Sequence, residues 1–208
     1  MNLSGVSRKN AFLGSISTAV RKKAWELCHG QETILEVCCG NGLFFLHSKT
    51  KDAGEKLLIG IDKSEELLHE AKKIFLDNSI EKIGLIRGDA FQLPFKNKMF
   101  DRVVCINTFL NLPSLATIEA LITELTRVCK GNGRLVIETR NSANPYIRLK
   151  YWLHVRKQNF PVKTYRVKNI SHILERHGFS CTEILPIGCP CNLFAKAFLI
   201  VAGRKKQT

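Results

Sequence analysis

The stretch ILEVCCGNG, residues 34 to 42, gathers a carboxylate, two thiols and two glycines at the end of an apolar run. Three chemistries use such a set. A metal site would draw on Cys38 and Cys39, yet adjacent residues point their side chains in different directions. No His or Cys stands at a local spacing that completes a tetrahedral set, so no metal is expected. A dinucleotide turn needs G-x-G-x-x-G. Counted from Gly40, the chain supplies Gly40, Gly42 and then Phe45, whose bulk opposes the close helix packing of a pyrophosphate-binding turn. What remains is a cradle for a nucleoside cofactor without a pyrophosphate. His47, in the following LFFLHSK, is read as a surface-helix histidine rather than a base. The chain has eight cysteines and no C-x-x-C pair, and most cysteines sit inside apolar runs, which implies a reduced, intracellular protein. Cys189 and Cys191, in GCPCN, are read as a packed turn.

The elements that would position these residues alternate regularly. TILEVC (33–38), LLIGID (57–62), KIGLIRG (82–88), DRVVCIN (101–107) and RLVIET (134–139) are strand-like apolar runs, and TEILPI and AFLIVAG close the chain with two more. Between them, SEELLHEAKKIFL predicts a helix over 64–76 with Ser64 as its cap and acids in its first turn. SLATIEALITELTRVCKGNG (114–133) predicts a helix ending at a glycine turn. A helix is also predicted from Asn169, with Gly178 as its terminator. This alternation implies one α/β domain: a doubly wound, mostly parallel seven-stranded sheet with helices on both faces and an antiparallel hairpin at the C-terminal end. The expected parts are an N-terminal helical segment (1–32), a cofactor-binding core (33–140), a basic aromatic cover (141–175) and C-terminal strands (176–208). Residues 1–23 contain no acid and several basic residues, a composition that suits either an organelle presequence or a helix leading into the first strand.

In such a sheet CCGNG falls where ligands bind, beyond the carboxyl end of the first strand. Here the chain resembles the class I S-adenosylmethionine-dependent methyltransferases, whose first motif is an acid, an apolar residue and then G-x-G-x-G. Glu36, Gly40 and Gly42 match it, with Cys38 standing at the first glycine. GIDKSEELLHEAKK resembles the second motif, with Asp62 and Lys63 ending the second strand, where a carboxylate can accept both ribose hydroxyls. RGDAFQLPFKNKMFDRVVC is similar to the third region, which implies that Asp89 and Ala90 read the adenine edge. INTFLNLP follows the fourth strand and places Asn107 and Thr108 beside the cofactor's methionine end. The match covers about 33–140, with the ending FLIVAGRK as weak support. The resemblance implies S-adenosylmethionine as cofactor and in-line transfer of its methyl group. It identifies no catalytic base; His47, His154 and His172 are candidates by residue type alone.

Charge points to the acceptor side. The chain carries a net +14, and Thr139–Leu174 alone holds eight Lys or Arg with no Asp or Glu. All three tyrosines (Tyr146, Tyr151 and Tyr165) lie in that stretch, together with Trp152 and Phe160. Asn144 and Pro145 suit the start of a helix that sets Ile147, Tyr151 and Val155 on one face. Tyr146, Tyr151 and Trp152, together with Thr108 after the fourth strand, are therefore candidate substrate contacts. A basic, aromatic, amphipathic segment suits an anionic membrane surface or an RNA strand, and equally a core-packing helix with a solvated basic face. No N-P-P-Y follows the fourth strand, which disfavours the family's branch that methylates amino groups, and no DNA partner is expected. The expected acceptor is a small or lipid-like molecule, a quinone-type ring or a phospholipid headgroup, in a cytoplasmic protein that works at a membrane periphery. RNA methylation is the runner-up, followed by a non-catalytic cofactor-binding subunit of a methyltransferase complex. No stretch approaches the ~18 apolar residues of a membrane span.

Overall fold

The computed structural model describes residues 11–49, 57–149, 152 and 163–205. Helix α1 (Ala11–Glu26) precedes strand β1 (Thr33–Val37), and β2 (Leu57–Asp62), α2 (Glu65–Asp77) and β3 (Ile83–Arg87) follow. The chain then crosses back to β4 (Phe100–Cys105), α3 (Leu115–Val128) and β5 (Cys129–Arg140), and ends in α4 (Val167–Arg176), β6 (Phe179–Ile187) and β7 (Ala197–Arg204). The seven strands lie in the order β3-β2-β1-β4-β5-β7-β6. The first five are parallel, and β7 runs antiparallel to both β5 and β6. This is the doubly wound sheet and terminal hairpin that the alternating runs predict. Because the order reverses between β1 and β4, a crevice opens beyond their carboxyl ends.

Local chemistry explains the helices around this sheet. Ser64 Oγ accepts from Leu67 N at the start of α2, Glu65 and Glu66 occupy its positive end, and Leu68, Ala71 and Phe75 form its buried stripe. Ser114 caps α3 in the same way, and Ile118, Leu121, Ile122 and Leu125 turn inward. These α3 residues and those of α4 pack on one face of the sheet with Leu35, Val103 and Ile137. The other face carries α1 and α2 over Ile34, Val104 and Val136.

Three boundaries differ from expectation. Helix α3 does not run on to a glycine turn: it stops at Val128, and Cys129 opens a twelve-residue β5 that includes Gly131 and Gly133. The cause is tertiary, because the preceding loop pairs with this segment, Lys98 N donating to Arg127 O and Met99 N to Val128 O. Helix α4 starts at Val167 with Arg166 at its cap position rather than at Asn169, and β6 begins at Phe179 rather than Thr182. Asn144 does cap a helix that starts at residue 145, its Oδ1 accepting from Tyr146 N and Ile147 N. Tyr151, His154, Val155 and Phe160 lie outside the described residues, as do residues 1–10 of the presequence reading.

Candidate functional site

The loop after β1 is shaped by backbone that L-residues avoid. Cys38, Gly40 and Gly42 have φ of 59°, 53° and 71°. A Cβ at Gly42 would sit 2.6 Å from Phe75 Cζ and 3.2 Å from Ala71 Cβ, so glycine alone lets the loop lie against α2. A Cβ built at Gly40 would make only an ordinary contact, 3.9 Å from Leu67 Cδ1, so it is the positive φ there that favours glycine. Cys38 takes the left-handed conformation with a full side chain, at a cost of about 1–2 kcal/mol. Burial pushes its thiol up to about 12, so it is a neutral packing group and no thiolate nucleophile. Phe45, the residue that argues against a pyrophosphate turn, is fully buried, with its ring edge-on to Phe44 and Phe75.

Asp62 clamps this loop from the end of β2. Its Oδ2 accepts from Gly40 N at 2.7 Å and its Oδ1 from Ser64 N at 2.9 Å. Each oxygen keeps a further lone pair for an outside donor. Glu36 is only 3% exposed on the α1 face of β1, and its Oε2 has no hydrogen-bond partner among the described residues. Burial pushes its carboxyl well above the usual carboxylate range, Arg21 on α1 opposes that shift, and Asp62 adds to it.

Beyond β4, Asn107 adopts φ 55° and is held from three sides. Its N donates to Glu138 Oε2 at 2.9 Å, while its Oδ1 accepts from Arg140 Nη2 at 2.7 Å and from Ser17 Oγ of α1 at 2.9 Å. The Glu138 and Arg140 side chains are 0% and 2% exposed, and Arg140 Nε lies 3.1 Å from Glu138 Oε1 as a charge contact without hydrogen-bond alignment. Glu36 Oε2, Glu138 Oε1, Arg140 Nε and Arg140 Nη1 are the buried side-chain polar atoms left without hydrogen bonds among the described residues. All of them belong to the α1 face near the carboxyl edge of the sheet.

The fold thus gathers Glu36, Cys38, Gly40, Gly42, Asp62 and Asn107 around the crevice. Lys63 stands exposed beside Asp62. Asp89 and Ala90 follow β3, where Asp89 is exposed with its Oδ1 accepting from Phe91 N, and Ala90 packs half-buried against the core. Thr108 is turned inward, 8% exposed, with its hydroxyl donating to Ile106 O. Tyr146 and Trp152 are half exposed beyond β5. Burial, then Arg21 and Lys22, push the half-buried His47 down, and His172 lies exposed on α4, 4.0 Å from Glu175. Among the described residues no group of three His, Cys, Asp or Glu could hold a metal ion. Ser17, Arg21, Glu138 and Arg140 were not singled out from sequence. The signal for the last two is a pair of opposite charges at i, i+2 directly after the apolar run Leu135–Ile137 of β5.

Comparison with known proteins fits this geometry. Residues 34–133 match the model of a methyltransferase domain. The demethylmenaquinone methyltransferase of Staphylococcus aureus (strain MRSA252) is 33% identical over 160 residues, 72% of this chain and 63% of the relative. That of Oceanobacillus iheyensis is 29% identical over 150 residues, 68% of this chain and 62% of the relative. The chain therefore spans less than two thirds of the length of these relatives. The solved structure of magnesium protoporphyrin IX methyltransferase from Synechocystis PCC 6803, with bound SAH, superposes with a TM-score of 0.72 at 20% identity, over 93% of this chain and 84% of that one. Residues 34–133 are thus similar to a methyltransferase domain, and the chain shares its fold with a methyltransferase solved with bound SAH.

Proposed function

We propose that this chain binds S-adenosylmethionine in the crevice beyond β1 and β4 and methylates a quinone-type ring, an acceptor it meets at an anionic membrane surface. The observation that carries the cofactor reading is the buried Glu36 Oε2 and Arg140 Nη1, left without hydrogen bonds among the described residues beside the clamped Asp62 loop. Such atoms cost about 1–3 kcal/mol each unless a ligand or water satisfies them. A zwitterionic amino-acid end suits them: Glu36 Oε2 would accept from its ammonium, and the Arg140 guanidinium, with Arg21 nearby, would face its carboxylate. Asp62 would accept the ribose hydroxyls with its free lone pairs, and Asp89 with Ala90 would meet the base.

When bound, the cofactor supplies an electrophilic sulfonium methyl. The chain's part is orientation and exclusion of water. Asn107, fixed by Glu138, Arg140 and Ser17, would define the methionine end. The described end of the cover crosses the loop after β4: Lys163 N donates to Leu110 O and Tyr165 Oη to Leu112 O. The half-buried Leu112 and Tyr165 ring give that edge the character an aromatic acceptor requires, and similarity to demethylmenaquinone methyltransferases supports the quinone class.

Two measurements test the reading. Calorimetric titration with S-adenosylmethionine is expected to give one-to-one binding that Asp62→Ala loses, and a folded wild type that binds none refutes the cofactor. With a water-soluble 1,4-naphthohydroquinone lacking one ring methyl, mass spectrometry should then show one added methyl. Cofactor binding without turnover on any quinol would favour the non-catalytic subunit.

A further inference from the structure

Ten large hydrophobic residues are exposed in the described molecule, and five of them gather at one edge: Tyr146, Leu149, Trp152, Leu193 and Phe194, each 50–57% exposed. Chance scatter does not explain this, because the two segments that bear them are tied together. Asn144 Nδ2 donates to Phe194 O and to Ala195 O, each at 3.0 Å, while its Oδ1 caps the turn that carries Tyr146 and Leu149. Asn141 Nδ2 donates to Asn192 O at 2.8 Å and to Ala195 O at 2.8 Å. Both Asn side chains are buried, so the β6–β7 turn and the start of the cover form one built unit.

Register places that unit. Arg140, the last residue of β5, pairs with Ala197, the first of β7, and Ala197 pairs with Ile187, the last of β6. The turn over 188–196 therefore stands at the carboxyl end of β5, the same edge of the sheet as Gly40, Asp62 and Asn107. Leu149, Leu193 and Phe194 each leave more than half of their surface in water at this edge, and charge selects what would cover them. From Thr139 to Leu174 there are eight Lys or Arg and no acid, and from Ile184 to Thr208 there are four Lys or Arg and no acid. Arg148 is exposed within the patch and Lys196 flanks it. Aromatic and aliphatic tips on two segments that carry basic residues and no acid match an anionic lipid surface, where rings sit at headgroup depth and cations meet phosphate.

From this we infer that the edge formed by Tyr146, Leu149, Trp152 and the Leu193–Phe194 turn docks the protein on an anionic bilayer, with the methyl-transfer crevice facing the lipid. The inference deepens the membrane-acceptor reading above and rests on it for its purpose, though not for its test. A lipid-soluble ring would pass from the bilayer to the crevice beside Asn107 without crossing water. The Leu193–Phe194 turn supplies the apolar insertion, and the basic cover supplies the long-range attraction, which salt screens.

The test is co-sedimentation of the full chain with vesicles of phosphatidylcholine alone or with phosphatidylserine at about a third of the lipid. It uses wild type and Leu193→Ser/Phe194→Ser, two exposed positions outside the cofactor machinery. Wild type is expected to bind the anionic vesicles with a blue shift in Trp152 emission, and the double variant at least tenfold more weakly with unchanged S-adenosylmethionine affinity. Absence of wild-type binding to anionic vesicles overturns the inference, and so does full binding by the double variant. Salt-steep binding of a 25-nucleotide RNA without vesicle binding overturns it in favour of a nucleic-acid face. Turnover of the soluble naphthohydroquinone without vesicles separates the two readings. Turnover without vesicle binding removes the docking edge alone, and vesicle binding without turnover removes the quinone reading alone.

Discussion

Arg140→Met is the perturbation with the largest calculable consequence. The substitution keeps the length of the side chain and removes a guanidinium that is 2% exposed. It deletes the Nη2 bond to Asn107 Oδ1 at 2.7 Å and the weaker one to Ser17 Oγ at 3.3 Å. It also leaves the Glu138 carboxylate fully buried, with the Asn107 backbone donor but no cation beside it. Breaking a buried pair by removing one partner costs about 3–5 kcal/mol, because the remaining charge stays desolvated. Removing both charges is a different experiment. The pair is imperfect, with Glu138 Oε1 and Arg140 Nε close but misaligned, so its net worth is small. Glu138→Leu/Arg140→Met should therefore lie within about 2 kcal/mol of wild type, far from the sum of the single losses. Urea midpoints at constant m measure all three variants. A loss below about 1 kcal/mol for Arg140→Met, or additivity in the double variant, would refute the buried-pair account. Because Arg140 and Ser17 hold Asn107 at positive φ, Arg140→Met should also weaken S-adenosylmethionine binding in calorimetry. Arg140 would contribute to that loss both as a positioning residue and through the contact proposed for it.

Three smaller perturbations address the loop and the buried acid. Gly42→Ala meets both a φ of 71° and an overlap with Phe75 at 2.6 Å, so it should lose about 2–4 kcal/mol, and Phe75→Leu should recover only the overlap part; full recovery would assign the whole cost to packing. Cys38→Gly should be more thermally stable than Cys38→Ala by about 1 kcal/mol, since both lose the thiol and only glycine relieves the left-handed strain; equal melting temperatures would refute that strain. Glu36→Gln should stabilise the cofactor-free protein at neutral pH and weaken cofactor binding. Burial raises the folded-state carboxyl of Glu36 above its unfolded value, so its stabilising effect is complete below the unfolded value of about 4.3 and is lost as pH rises through the folded one. Urea midpoints across that range should fall with pH more steeply for wild type than for the variant, and parallel profiles would remove Glu36 from the account.

What the sequence could reveal follows from the range over which each cause acts. Helix α2 was legible because its signals are local: the Ser64 cap, acids at 65 and 66, and a stripe at Leu68, Ala71 and Phe75 lie within one helix length. The strands were legible as apolar runs, and the order of motifs placed the crevice. The end of α3 was not legible. CKGNG carries two glycines that imitate a helix stop, yet a Cβ at Gly133 would meet Phe100 O at 2.9 Å and Asp101 O at 3.0 Å. That glycine answers a neighbouring strand some thirty residues earlier, not its own helix. The same distinction divides the candidate site. Glu36, Gly40 and Gly42 form a compact loop motif, and Asp62 follows at a fixed strand–helix interval. Arg140 acquires its meaning only when Ser17 and Asn107 come within reach across separations of 123 and 33 residues. Cys38 shows the limit most sharply. It stands where the family has a glycine, and the constraint there is conformational: the loop needs a positive φ at that position, and cysteine supplies it only under strain that the Asp62 clamp must hold in place.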